Sequence, residues 1–582
     1  MQVMQVLRLL YLQPSFPSKA PFMSSSLTPA DILRHAEQLG WPVTETRAAE
    51  IATSAKATYD HMARAAAKLD FDVDTLSLFS AREQCKDGAS GATGTGKRPA
   101  AGRSFTPPPI SASRPLHVTL TQAARALREG SVSSVELTRA AIAAARALQP
   151  RVNAFVRIDE ESALARARAC DADLAKGKLR GPLHGVPLAH KDMYYRKGLV
   201  STCGSKIRGQ WVAPTTAAAL EKLDAAGAVQ IGNLNMTEFA YGPTGQNAFL
   251  GDVRNPWNTD YITGGSSSGS GVSVAARIVY GALGSDTAGS VRMPSSICGV
   301  VGMKTTFGRV SRAGAMPLSQ SLDTVGPLTR TVADNALMLS VIAGHDVRDP
   351  STTHDPVPDY LAQLNRPVKG MRIGVPKGYF DTNIDADVAA RMQAAVEVYR
   401  KLGCSIVEVA MPDLDAMNAA GFLLTWGDVI AVHGTWMREC PDDYSPQTRG
   451  RIQMTLAATT QGVMDAHRLR GPMLREFAAS VFSKCDAVLA ANLSFPVHKL
   501  SEVDVSGGAN MMRILNEITR LMRPINVMGV PALAVPAGLT SNGLPCGFQL
   551  IGRPFSEARL YQLGHAYEKE TRFSDTLPAV HS

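Results

Sequence analysis

The middle of this chain carries a run built of glycine and serine alone, Gly264-Gly265-Ser266-Ser267-Ser268-Gly269-Ser270-Gly271, followed by a second small-residue turn, Ser285-Asp286-Thr287-Ala288-Gly289-Ser290-Val291-Arg292. Residues this small let the backbone bend sharply and approach other groups closely, so whatever fold forms around them must accommodate two tight turns. Composition alone would also allow a flexible linker over Gly264 to Gly271. Strand-like and helix-like segments flank the run at once, however. Upstream, Gly185-Val186-Pro187-Leu188-Ala189-His190-Lys191-Asp192 sets a lysine at the end of a short apolar run.

Serines in glycine-lined turns suit nucleophilic catalysis. A hydroxyl attacks a carbonyl poorly unless a base takes its proton and backbone N–H groups receive the oxyanion that forms. Ala288 and Gly289 allow the sharp turn that would present Ser290 and successive N–H groups to one point. A lysine acts as the base only when neutral, and burial must then depress a pKa that starts at about 10.4. A depression of roughly three units corresponds to about 4 kcal/mol of differential interaction. A lysine that follows Val186, Pro187 and Leu188 meets that demand better than one on an exposed helix.

Together these elements resemble the amidase signature family. Further segments look like the family's and stand in its order: Gly232 to Gly242, Arg254-Asn255-Pro256-Trp257, Cys298 to Lys304, Asp323 to Arg330, Gly529 to Pro536, Gly543-Leu544-Pro545 and Gln549-Leu550-Ile551-Gly552. The resemblance covers residues 116–582 and implies one large α/β/α sandwich with a mixed sheet. It also implies an amidohydrolase that needs neither cofactor nor metal. Residue by residue, it makes Lys191 the base, Ser266 a bridging serine held by a cis peptide, and Ser290 the nucleophile that is acylated. Thr287, Ala288, Gly289 and Ser290 supply the oxyanion hole, and Ala240 is carried over as a substrate-binding position. The family often has two glycines where this chain has Ala288-Gly289. The methyl group leaves the donors intact and narrows the pocket floor.

The substrate stays open at this point, between aryl, aliphatic, carbamate and biuret-like amides. Ala490-Ala491-Asn492 stands where relatives often show Thr-Pro-Thr, which puts any transfer of specificity in doubt. The alternative within the family is the amidase subunit of a glutamyl-tRNA amidotransferase, which works with partner subunits. Those subunits usually carry a glutamine in the segment Val291-Arg292-Met293-Pro294 and a different loop from Tyr241 to Asn247. Both departures point to a small-amide hydrolase. A non-catalytic, partner-binding scaffold is the reading from another class, and an intact Lys191, Ser266 and Ser290 argues against it.

Plainer roles compete for several residues. Lys191 and Asp192 would also suit a surface ion pair, Arg292 a packing or pairing role, and His190 a structural one. Gly91-Ala92-Thr93-Gly94-Thr95-Gly96-Lys97-Arg98 nearly spells a phosphate-binding loop, but Arg98 replaces the hydroxyl residue that would bind magnesium. No apolar strand precedes it, and Thr106-Pro107-Pro108-Pro109 follows, so it reads as linker.

Among 582 residues, 45% are hydrophobic and 19% charged, a globular composition. No uninterrupted apolar stretch of about 18–20 residues occurs, so no membrane segment is expected. The net charge of +9 is scattered, which argues against a nucleic-acid groove. Eight separated cysteines and twelve histidines form no metal motif. They fit reduced thiols, a cytoplasmic home and no metal. A small-molecule amide is the expected partner, and a homodimer is left open.

Residues 1–26 read as a disordered extension, with a transit peptide or a start at Met23 as alternatives. Thr28-Pro29 with Asp31 starts one helix. Thr44 starts another whose Ile51, Ala55, Tyr59, Met62, Ala66 and Leu69 share a face. Residues 27–82 thus form a small helical module, weakly similar to the accessory subunit of carboxybiuret hydrolases; a plain N-terminal decoration is the alternative. Residues 83–115 are a Gly/Pro-rich linker. Beyond it, Ser133 to Glu136 is a capping-box start for a helix expected to stop at Pro150. Strand candidates Ala154–Arg157, Val186–His190, Ala228–Ile231 and Ile278–Leu283 then alternate with helical patterns, as an α/β core requires.

Overall fold

A computed structural model describes residues 27–70, 72–86, 115–503 and 511–581. The expected extension, the phosphate-loop look-alike and residues 87–114 of the linker lie outside the described residues. The body is an α/β fold around one mixed sheet. Its eleven strands are β1 (Phe155–Ile158), β2 (Pro187–Lys191), β3 (Val229–Leu234), β4 (Gly281–Asp286), β5 (Val301–Lys304), β6 (Thr324–Thr329), β7 (Arg372–Lys377), β8 (Ser405–Ala410), β9 (Ala487–Ala491), β10 (Ala532–Leu539) and β11 (Pro545–Ile551). They lie in the order β1-β3-β2-β4-β6-β5-β10-β11-β9-β7-β8.

The central strands β2 and β4 are buried along their whole length, as strands covered by helices on both faces must be. β2 runs parallel to β3 and β4, whereas β4 pairs with β6 antiparallel. Lys191 ends β2 and Asp286 ends β4, so both residues emerge at the carboxyl edge of parallel neighbours. That is the edge at which open α/β sheets bind ligands. The Gly/Ser run meets the same edge, because the helix Ser268–Ala275 follows Ser266 and the Gly269 N–H donates to the Asn235 carbonyl just past β3.

The helix opening at Ser133 has the expected capping box with Glu136, but it continues through Pro150 to Val152. Pro150 forfeits one N–H near the helix end, and the side chain of Gln149 offsets that loss. It bridges Asn153 and both backbone groups of Phe155, while Asn153 turns the chain at φ 47°. β4 also begins later than the expected Ile278. Arg277 sits at φ 51° and bends the chain, so Ile278, Val279 and Tyr280 become a buried connection.

The N-terminal helices Pro29–Leu39, Glu45–Ala66 and Ser77–Cys85 lie on the body of the protein. Thr28 and Asp31 form a reciprocal cap, and the second helix starts at Thr44 as its sequence requires. Ile51, Ala55 and Met62 are buried, and Ile32, Trp41 and Leu78 join the same continuous core. The contacts fall on the helices Leu414–Glu439 and Thr460–Phe477 and on the segment between them. Trp41 donates to the Gly434 carbonyl (3.2 Å), Ser77 to that of Arg468 (3.0 Å) and Arg82 to that of Phe307 (2.9 Å).

Candidate active site

Lys191 is wholly enclosed. Its Nζ donates to Ser266 Oγ at 2.7 Å and to Ser285 Oγ at 3.0 Å. Burial pushes its pKa down to about 7, against a weaker upward pull from the Asp323 and Asp286 carboxylates. Ser266 is also buried and follows a cis peptide bond from Gly265. Ser290 differs from both: it and Ala288 are half-buried and face an open cleft.

The turn that carries Ser290 is organised around Asp286. Its carboxylate accepts from the N–H groups of Gly289 (2.8 Å), Val291 (3.3 Å) and Arg292 (3.4 Å). It also forms two 3.0 Å bonds with the Arg292 guanidinium and one with Asn526 (2.9 Å). Burial alone would raise this carboxyl; the Arg292 charge and these hydrogen bonds hold it well below the usual carboxylate range. Arg292 is therefore a structural partner, itself tied to Gln549 (2.8 Å) and Asn526 (2.6 Å).

One expected oxyanion donor is thereby removed. The Gly289 N–H is committed to Asp286, which leaves Thr287, Ala288 and Ser290, whose N–H groups have no acceptor among the described residues. Gly289 has φ 118°, and a Cβ there would lie 2.5 Å from Met522 Sδ, so the turn requires glycine at that position. Thr287 Oγ1 donates to Asp323, which also takes the N–H groups of Leu318 (2.9 Å) and Ser319 (3.0 Å).

His190 takes the plainer role. Its Nδ1 accepts the Leu283 N–H at 3.2 Å, and burial holds the ring's pKa down at about 3, so it joins β2 to β4 as a neutral ring. Asp192 is buried and bonded to Thr202 and Asn233, which excludes a surface ion pair with Lys191. Ser285 was named in its turn but given no role beside Lys191; its position one residue before Asp286, at the end of an apolar strand, was the available signal.

Ala240, carried over as a substrate-binding position, lines the cleft. It and Phe239 take φ 59° and 48°, a region that costs non-glycine residues about 1–3 kcal/mol each. Phe239 is held there against His433, Trp436 and Tyr444. Phe422, Trp426, Met293 and Met454 supply apolar walls, and Arg451 and Arg523 supply charge. Neither arginine nor these walls were singled out from the sequence. Ala490 and Ala491 lie inside β9 and do not line the cleft. Among the described residues, no group of three or more His, Cys, Asp or Glu side chains could hold a metal ion, and no helix is long and apolar enough to cross a membrane.

The chain is an α/β protein with a buried Lys-Ser pair at the carboxyl edge of its mixed sheet and a half-buried serine on its cleft, and comparison specifies the family. The family model described as Amidase matches residues 136–561; the chain belongs to the amidase signature family. It is 39% identical over 468 residues to one of the subunits of the glutamyl-tRNA(Gln) amidotransferase of Geobacter metallireducens, covering 76% of this chain and 95% of that one. It also resembles a chain of a vestigial protein complex described as revealing the evolutionary origins of an s-triazine catabolic enzyme, with TM-score 0.72 and 32% identity over 78% of this chain and 98% of that one. Peptide amidase from Stenotrophomonas maltophilia matches with TM-score 0.69 and 29% identity over 80% and 99%.

Proposed function

We propose that this enzyme hydrolyses the C–N bond of a small amide through an acyl-enzyme at Ser290. The observation that carries the reading is Lys191, buried, with its pKa pushed down to about 7 and 2.7 Å from Ser266 Oγ, on the same sheet edge as the turn whose Ser290 faces the cleft. Neutral Lys191 accepts a proton from Ser266 as Ser266 takes one from Ser290, and Ser290 Oγ bonds to the amide carbon. The N–H groups of Thr287, Ala288 and Ser290 stabilise the oxyanion. Lys191 then returns the proton through Ser266 to the departing nitrogen, the C–N bond breaks, and water releases the acid by the same relay. None of these steps calls on a cofactor.

The second reading is an amidotransferase subunit, in which the ammonia released would serve a partner. The Geobacter relative's name favours it. In favour of the first is Met293: the segment where such subunits usually carry a glutamine here places an apolar side chain on the cleft wall. Ammonia release from a panel of primary amides, glutamine included, separates the two. A stand-alone hydrolase turns over free amides as the purified chain. Turnover confined to glutamine, and only with added partner subunits, would establish the second reading instead.

A further inference from the structure

A second pocket opens at the sheet edge opposite the one that carries Lys191. β6 runs antiparallel to β4, so Arg330, one residue past the end of β6, emerges on the side away from Asp286. The helices Ser268–Ala275 and Arg292–Cys298 start beside the Ser266 and Ser290 turns and end here, with Ala275 and Cys298 on the pocket wall. Arg277 and Arg330 line the pocket together with Trp257, Phe573 and Pro578, and the Trp257 and Phe573 rings stack at 5.8 Å.

A buried cation is ordinarily paired, because desolvation is otherwise uncompensated. Arg277 and Arg330 are only 8% and 7% exposed, and among the described residues no carboxylate bonds to either. Arg277 donates Nη1 to the His117 carbonyl (2.8 Å) and Nη2 to that of Ser574 (2.9 Å); Arg330 donates Nη1 to the Leu116 carbonyl (2.6 Å) and Nη2 to that of Val118. These bonds pin two stretches of chain to the sheet, but they use only two of the five N–H groups on each guanidinium, and their acceptors are neutral. The acids that act on the pair do so from a distance: Asp575 is tied to Arg572 at 2.7 Å, and Asp334 takes the Thr121 N–H at 2.9 Å. Burial, and then the charge of Arg330, push the pKa of Arg277 down to about 10, so the two cations share one space. The carbonyl ends of the two helices offset about half a charge each, which leaves about one positive charge uncancelled. Arg277 also holds φ 51°, a conformation that costs a non-glycine residue about 1–3 kcal/mol and that clusters at ligand clamps.

We propose that this pocket binds a phosphate group in the forks of Arg277 and Arg330. Planar guanidinium forks match the oxygens of a phosphate two at a time, and its double charge answers two cations where a chloride answers one. Ser574 and Thr576 also line the pocket, and their hydroxyls have no partner among the described residues. Trp257, Phe573 and Pro578 supply apolar walls around the ion. Bound there, phosphate would tie residues 115–118 and 573–576 to the far ends of the two helices that start at the Ser266 and Ser290 turns.

The test is calorimetric titration of the full-length protein with inorganic phosphate, against sodium chloride of equal ionic strength, with Tm read in the same buffers. The wild-type chain should bind phosphate saturably at one site and melt higher in it than in chloride. Arg277→Gly takes the left-handed turn without strain and should weaken phosphate binding about 10- to 100-fold. Arg277→Lys, which keeps the charge and loses the fork, should lie between, and it carries the test if the glycine variant does not fold. Arg451→Met, in the other cleft, should leave the affinity unchanged. Adenosine monophosphate separates the sources: affinity equal to that of the free ion identifies a phosphate ester as the ligand, and exclusion identifies the ion itself. A wild-type response to phosphate no greater than that to chloride would overturn the site, with no variant needed. So would phosphate binding that is unchanged in Arg277→Gly or Arg277→Lys, or that is lost in Arg451→Met, which would put the ion in the Ser290 cleft.

Discussion

Enclosing Lys191 gives its uncharged form an advantage inside the protein that it lacks in the unfolded chain, and the sign of that difference sets two pH dependences. Its pKa is 10.5 unfolded and about 7 folded, so between those values the unfolded chain binds more protons and stability rises with pH. As pH falls from 10.5 towards 7 that stability is lost, and below about 7 no further change comes from this residue. Lys304, which burial also pushes to about 7, titrates over the same window. Lys191→Met should therefore reduce the slope of Tm against pH without removing it. As the proposed base, Lys191 must be neutral, so kcat/KM should fall about tenfold per pH unit below about 7; a profile flat to about pH 5 would rule lysine out. Ser290→Ala should abolish turnover, and Ser266→Ala should cost on the order of 10³–10⁶ in rate. Lys191, Ser266 and Ser290 were legible because each sits in its own short run of small or apolar residues. Arg451 and Arg523 were not, because the cleft is built from side chains far apart in the chain and a lone arginine looks the same on a surface.

The elements around Ser290 act as a frame whose rigidity comes from Asp286. Its bonds to Gly289, Val291 and Arg292 close the turn from the inside, so the N–H groups of the proposed oxyanion hole are set before any substrate binds. Gly289→Ala tests that frame. The positive φ costs about 1–3 kcal/mol for alanine, and the added Cβ meets Met522 Sδ. We expect kcat to fall with little change in KM, since the turn serves the transition state more than binding. An equal loss in both would mean that Met522 moves into the cleft. Asp286→Asn should cost about 3–5 kcal/mol, the penalty for leaving a buried Arg292 unpaired, and urea unfolding would register it. Strand identity was legible in outline, because buried strands read as apolar runs. Their ends were not: the left-handed turn at Arg277 starts β4 past Ile278, and the Gln149 bridge carries a helix through Pro150. Both depend on tertiary bonds that local pattern does not record.

Across the whole molecule, the N-terminal helices and the chemistry meet at one segment of chain. Arg451 and Met454 line the cleft from residues 446–457, and the N-terminal helices hold that segment by its backbone. Arg47 donates to the Gly450 carbonyl (2.6 Å), Tyr59 donates to that of Ala457 (2.7 Å) and accepts from the Thr459 N–H (3.0 Å), and the His35 ring bonds to the Leu456 carbonyl (3.0 Å). The apolar stripe from Ile51 to Met62 was legible in the sequence as a packing face, but the surface that would receive it was not. The Lys191, Ser266 and Ser290 turns lie on the sheet edge and make none of these contacts, so loosening the brace should act on binding and spare the bond-breaking steps. In the full-length chain, Arg47→Met combined with Tyr59→Phe should raise KM several-fold with kcat nearly unchanged, the pattern of lost uniform binding. Tm should fall as well, since each lost hydrogen bond is worth about 1 kcal/mol. Steady-state kinetics beside thermal unfolding check both. A fall in kcat at constant KM would place the N-terminal helices in the catalytic frame instead of the substrate wall.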